Sequence, residues 1–235
     1  FVGQFVSLEK HTRDVVGEMK TLIAALALDD ATADTLRTAA GWHDVGKAHE
    51  EFQKMLHAGA SDEYATTLLA KSKKQTARCA RRNFRHELAS ALAWLQNAPA
   101  DASARDLVAF LIAAHHGKVR LSIRSLPNET PPREADKLYA RGIWDGDPLP
   151  GPPFETLSVN SQTIPRFDLD LRFMQLGDGP RGPSWPARLV AIPAAPRPCS
   201  PPWPGTLPPV ATPRPAPSSR RPPPSAHHTH PRRPP

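Results

Sequence analysis

Six side chains of metal-ligand type stand out in this chain: His11, the adjacent pair His43-Asp44, His86, and the adjacent pair His115-His116. Neutral imidazoles and carboxylates suit Mn, Fe, Co, Ni or Zn, and argue against the oxygen cages that hold Ca and Mg. On a helix, an adjacent His and Asp project about 100° apart, so one carboxylate can bridge two ions while the imidazole takes one of them. Six donors leave room for two divalent ions. Two such ions a few ångströms apart activate a water and stabilise the leaving oxygen of a phosphoester displacement. Lys47, one turn after His43, can lend positive charge to the scissile phosphate; its plainer reading is a lysine at a helix end. A single histidine on a helix is usually a surface or satisfied core residue, but no other use explains all six at once. Seven of the ten histidines lie in the first 116 residues, and five of those seven belong to this set. His49 and His57 read as surface residues of a third helix, and His227, His228 and His230 as tail composition.

The elements that must position these donors read mainly as helix. Residues 7–28 form one, with Ser7 as cap and Val15, Val16, Met19, Leu22, Ile23 and Leu26 as its apolar side. Residues 32–44 form a second that turns Leu36, Ala39, Ala40 and Trp42 inward, with Gly46 as its stop. A third runs from about Ala48 to His57. Residues 62–96 read as one or two helices, and the last helix runs from Ser103 or Ala104 to His116. Residues 117–178 then form an irregular insertion with a small two-stranded element, its strands expected at Val119–Ile123 and 167–176. The expected fold is thus an all-α bundle over residues 1–185 carrying a small β insertion, followed by a Pro-rich disordered tail over 186–235.

Charge divides along the same boundary. From Pro186 to Pro235 there are 18 prolines, seven arginines and no Asp, Glu or Lys. Residues 1–185 therefore balance 23 bases against 23 acids, and the net charge of +7 belongs to the tail. A local basic run survives this correction: Lys71, Lys73, Lys74, Arg78, Arg81, Arg82 and Arg85, leading into His86. It is either a solvated face or a rim that contacts phosphates, with Lys73, Lys74, Arg78, Arg81 and Arg82 as the candidate nucleic-acid-binding residues. Two cysteines, Cys79 and Cys199, offer no disulfide framework and fit a reducing compartment. With no apolar run of membrane-spanning length and no signal-peptide pattern, a cytoplasmic protein is expected. The chain begins with Phe1, as a processed chain or a piece of a longer one does.

The spacing His…His-Asp…His…His-His is that of an HD-type metal hydrolase. Trp42-His43-Asp44-Val45-Gly46-Lys47-Ala48-His49 with Phe52-Gln53, then Arg85-His86-Glu87 and Ala114-His115-His116-Gly117-Lys118, resembles the HD nuclease of type I CRISPR interference, the nuclease half of a helicase–nuclease. Val119–Pro127 and Ala140–Asp147 resemble its narrower subtype G, formerly U. The resemblance covers about residues 1–190. It implies cleavage of single-stranded DNA with two transition-metal ions in antiviral defence. His11, His43, Asp44, His86, His115 and His116 fall on its metal positions and Lys47 on an active-site lysine, so Asp44 and Lys47 are the expected catalytic pair. Its expected partners are a helicase domain, in the same or a separate chain, and the RNA-guided surveillance complex, with no membrane. The family also places one more Asp on a late helix. Here that helix is not expected after Trp185, and a frameshift near 186–195 would explain the Pro- and Arg-rich ending. Two alternatives remain: an HD phosphohydrolase acting on nucleotides, which needs a closed pocket rather than a basic run, and a catalytically impaired, truncated HD domain.

Overall fold

Capped helices deliver the first donors. The structure, a computed structural model, describes residues 3–73, 77–99, 104–117, 124–151, 164–175, 177–179 and 182–191. Helix α1 (Leu8–Ala25) starts where the Ser7 hydroxyl accepts the Lys10 N–H at 3.2 Å. Helix α2 (Asp30–Trp42) starts where the Asp29 carboxylate accepts both the N–H and the hydroxyl of Thr32. Satisfying these first-turn donors fixes each helix start, and with it the turn of α1 that carries His11. The apolar side of α1 is only partly covered. Leu8 and Thr12 are buried, but Leu22 is 53 % and Leu26 65 % exposed among the described residues.

The core is built around α4 (His86–Asn97), whose residues from His86 to Leu95 are all buried. Ala89, Ala91 and Ala93 keep its surface shallow, and that lets neighbours approach from several sides. It packs against α2, the 3-10 turn Val45–Ala48, α5 (Arg105–Ala114) and the 3-10 turn Leu171–Met174. Trp42 and Trp94 meet edge to face at 5.5 Å in this core, a geometry aromatic quadrupoles favour.

Gly46 is where the metal-donor segments touch, rather than the stop of a helix. Helix α2 ends at Trp42, and Gly46 lies inside the turn Val45–Ala48. A Cβ at Gly46 would lie 2.1 Å from the His86 carbonyl oxygen and 2.7 Å from the Ala89 Cβ. The Gly46 N–H donates to Ser90 Oγ (2.8 Å), and that hydroxyl donates to the His86 carbonyl (2.9 Å). Gly46→Ala should therefore destabilise the fold by about 1–3 kcal/mol or more, as overpacking does, and push His86 away from Asp44. Urea unfolding together with manganese affinity measures both effects; an unchanged midpoint would show that the turn yields freely.

The expected helix over 62–96 holds only from His86 onward. Asp62–Tyr64 is a single 3-10 turn, and Leu69–Lys71 is strand β2, paired antiparallel with β1 (Val6–Ser7). The segment from Ala77 to Arg85 is irregular, with Asn83 in the left-handed region at φ 62°. The basic run has good helix formers but no apolar stripe to bury, so packing decided against helix.

The insertion folds as short hairpins. Strands β3 (Tyr139–Ala140) and β4 (Ile143–Trp144) are joined by Arg141 and Gly142, both at positive φ, the turn geometry whose twist suits a two-residue hairpin. A Cβ at Gly142 would lie 2.7 Å from Phe84 Cα, and the Arg85 N–H donates to the Arg141 carbonyl. The hairpin thus holds the chain at the entry to α4. Phe167–Asp168, expected to pair with Val119–Ile123, is strand β6 and pairs with β5 (Pro148–Leu149); Val119–Ile123 lies outside the described residues. Strands β7 (Asp178–Gly179) and β8 (Gly182–Pro183) form a further pair. The fold is mainly α, as the sequence periodicity predicts, with only two-stranded sheets among the described residues.

A late helix does form, against expectation. Helix α6 (Trp185–Val190) is capped by the Ser184 hydroxyl and runs across residue 185, where the tail is expected to begin. Pro186 lies in its first turn, where a missing N–H leaves no helical bond unmade. The Trp185 indole donates to the Asp106 carbonyl, and Arg188 grips the Asp106 carboxylate through two nitrogens. Residues from 192 onward lie outside the described residues, as does the expectation of disorder there. No helix among the described residues is long and apolar enough to cross a membrane.

Candidate metal centre

The structure brings all six sequence-predicted donors to one place, around one buried carboxylate. Asp44 is 1 % exposed. Its Oδ2 lies 3.1 Å from His11 Nε2, 3.2 Å from His43 Nε2 and 2.6 Å from the Lys47 ammonium, which donates to it. Its Oδ1 lies 3.1 Å from His86 Nε2 and 3.6 Å from His115 Nε2. The donor atoms of His11, His43 and Asp44 form one close group, and those of His86, His115 and His116 a second. The two oxygens of Asp44 therefore face two different sets of imidazoles.

Backbone carbonyls aim these rings. The Nδ1–H of His43 donates to the Ala40 carbonyl and that of His115 to the Ile112 carbonyl, each at 2.7 Å. Each bond takes up the Nδ1–H and turns Nε2 toward Asp44, where it can serve as a ligand atom once that nitrogen gives up its proton. Both histidines directly follow a helix, so the carbonyls of its last turn are within reach; this is why the adjacent pairs fall at helix ends.

The donor set fits divalent ions. Asp44 Oδ1 is buried without a hydrogen-bond partner. His116 Nε2 and His86 Nε2 face each other at 3.1 Å, where two lone pairs repel unless a proton or a cation lies between them. Five imidazoles and one carboxylate are the nitrogen-rich chemistry that borderline transition ions prefer. Burial by itself would push the Asp44 carboxyl up, but the imidazoles of His11, His115, His43 and His86 outweigh it and hold the group well below the usual carboxylate range. Burial pushes His86 below the ordinary histidine value, against the pull of Asp44. Burial and the neighbouring His115 and His86 do the same to His116. Asp44 is thus ionised and these two imidazoles neutral near pH 7, the forms that bind metal.

The basic run divides. Lys73, Arg78 and Arg82 are exposed, and Lys74 lies outside the described residues. Arg81 turns inward instead: it donates to Asp147 Oδ2 at 2.5 Å, and its guanidinium carbon lies over the Trp144 ring, 3.6 Å from the centroid. Its guanidinium is committed to a buried ion pair.

Three residues to which the sequence reading gives no structural role brace the segments around the centre. His49, expected at the surface, is 2 % exposed. It caps α3 (Glu50–His57) by accepting the Glu51 N–H, and its Nε2 lies 3.2 Å from Asp147. Burial alone would raise the Asp147 carboxyl, but the His49 imidazole beside it and hydrogen bonds from the Trp144 N–H and Arg81 hold it below its usual value. The second is Gln53, whose amide donates to the carbonyls of Lys47 and Leu69 and accepts the Leu69 N–H. It ties the turn after Asp44 to β2. The third is Ser90, described above. The signal for His49 was its place just ahead of Glu50-Glu51, an N-cap position; its partner Asp147 is 98 residues away and not visible locally.

Residues 6–147 match the family model "Cas3, HD domain". The chain belongs to the Cas3 HD-domain family. The match spans every donor of the centre and points to a CRISPR-associated, metal-dependent nuclease. No curated protein and no solved structure matches the chain.

Proposed function

We propose that this Cas3-type HD domain cleaves the phosphodiesters of single-stranded DNA, using two transition-metal ions, in CRISPR antiviral defence. The observation that carries the reading is one buried carboxylate facing two histidine groups. His11, His43 and Asp44 would hold one ion; His86, His115, His116 and the other oxygen of Asp44 would hold the second. Bound there, such ions would supply an activated water and stabilisation of the leaving oxygen. The chain's own groups do the rest. Asp44 keeps its charge through the surrounding imidazoles and Lys47, whose ammonium is placed to meet a phosphate oxygen beside Asp44. Lys73, Arg78 and Arg82, with Lys74 beside them in sequence, contact the DNA backbone without reading bases. A CRISPR helicase domain would feed the strand, after an RNA-guided complex has selected it, in the cytoplasm.

Manganese-loaded protein should cut a single-stranded oligonucleotide, leave a blunt duplex intact, and stop on addition of a chelator. Reversing the charge of Lys73 and Arg82 together should weaken single-strand binding and lower its salt slope by roughly two phosphate contacts. Hydrolysis of free nucleotides without strand cleavage would replace this reading with a nucleotide phosphohydrolase. An unchanged salt slope would return the run to a solvated face.

A further inference from the structure

Helix α4 carries the donor His86 as its first residue, yet no side chain caps its start. Helices α1 and α2, which bring in His11 and His43, are fixed by Ser7 and Asp29. The first turn of a helix leaves backbone donors unmet and frays unless something holds it, so α4 needs another anchor. The insertion supplies it. Asp147, a buried carboxylate that belongs to neither donor group, stands just after β4. Its Oδ2 accepts from Arg81 at 2.5 Å and from the Trp144 N–H at 2.7 Å, and lies 3.2 Å from His49 Nε2. The Arg81 carbonyl in turn accepts the Phe84 N–H at 3.3 Å. The Phe84 ring lies 4.7 Å from the His49 ring, and a Cβ at Gly142 would come within 2.7 Å of Phe84 Cα. Arg85 donates its N–H to the Arg141 carbonyl, and its own carbonyl accepts the N–H groups of Leu88 and Ala89. An unbroken series of contacts thus runs from Asp147 to the residue that precedes His86.

Resting on the two-ion reading above, but not on the nature of the substrate, we infer that Asp147 is a positioning residue of the metal centre: it places His86, and so governs the second histidine group while leaving the first alone. Groups outside the ligand shell set affinity by orienting the ligands, and here the orienting group acts through the backbone at a helix start. Without the Asp147 carboxylate the Arg81 guanidinium would be buried with no counter-charge, which is costly. It would have to turn out to water and carry its carbonyl, and with it Phe84, away from the entry to α4. The first group is anchored elsewhere. His43 is aimed by the Ala40 carbonyl, and the turn after Asp44 is held by Ser90 and Gln53. His115, in the second group, is aimed by the Ile112 carbonyl. None of these bonds comes from the insertion, so its hold on the centre runs through His86.

The test is manganese calorimetry in two backgrounds. His11→Ala keeps the second group complete; His86→Ala keeps the first group and removes the ligand through which Asp147 acts. Asp147→Ala should weaken manganese binding about 10- to 100-fold in the His11→Ala chain, the range for losing a group that orients a ligand, and change it less than about twofold in the His86→Ala chain. A merely structural role would lower the urea midpoint and weaken both chains alike, or neither. Asp147→Asn keeps the volume and an oxygen for the Trp144 N–H, but not the charge that holds Arg81. It should lose affinity in the His11→Ala chain too, by less, and it decides the matter if Asp147→Ala fails to fold. Unchanged affinity in the His11→Ala chain, or equal losses in both backgrounds, overturns the positioning role and leaves the two-ion reading standing. A natural chain that binds no manganese overturns that reading, and the positioning role with it.

Discussion

Asp44→Asn should remove both ions and reduce strand cleavage by about 10³-fold or more. Each oxygen of Asp44 faces a different histidine group, so this one change weakens both sites at once, whereas loss of a single histidine weakens only one. The amide also brings an N–H where His11, His43 and Lys47 converge, and it lacks the charge that offsets two cations. Metal-ion stabilisation of developing charge is worth several kcal/mol, and every 1.36 kcal/mol is tenfold in rate. Thermal unfolding separates loss of metal from loss of fold. Added manganese should raise the melting temperature of the natural chain by preferential binding to the native state and leave that of Asp44→Asn unmoved. Metal-dependent stabilisation in Asp44→Asn, with cleavage retained, would mean that the histidines hold the ions without a bridging carboxylate.

Those donors were legible in the sequence because the physics that places them is local. His43 and His115 each follow a helix with a recognisable apolar side, and each donates its Nδ1–H to a carbonyl three residues earlier. The caps at Ser7 and Asp29 are equally local. What stayed hidden depends on distant partners. Strand β2 is three residues long and exists because Val6–Ser7 lies beside it, and no pattern within 62–85 announces that pairing. Arg81 reads as a surface cation until Asp147, 66 residues later, and Trp144 are folded against it. Gly46 reads as a helix stop from its type alone; only the approach of α4 reveals that a side chain has no room there. Helix α6 is not expected where proline begins to dominate the sequence, yet Pro186 falls in its first turn, which tolerates it. In α1 the period was right but the burial was not, since periodicity shows which residues share a face and not whether anything covers that face.

Titration with manganese should show two unequal sites: one equivalent bound tightly, and a second only at concentrations about 10- to 100-fold higher. The second group offers three imidazoles, with Asp44 Oδ1 3.1 Å from His86 and 3.6 Å from His115. The first offers two imidazoles and Asp44 Oδ2, an oxygen also engaged by the Lys47 ammonium at 2.6 Å. Fewer donors, and a cation competing for the shared one, lower affinity. Helix α6 contributes no carboxylate: its sequence is WPARLV. Asp168, Asp170 and Asp178 join neither donor group among the described residues, and Asp170 is held by Arg172 through both oxygens. With the first group thinly supplied, strand cleavage should be slow at low manganese and rise as the weaker site fills, tracking the second binding step rather than the first. A mutation confined to that group, His11→Ala, should abolish the weak step and leave the tight one. Two equally tight equivalents with rapid cleavage would show that a further acid completes the first group. Asp168→Asn, Asp170→Asn and Asp178→Asn would then identify it, and if none of them removed the second tight site the acid would have to come from residues outside those described.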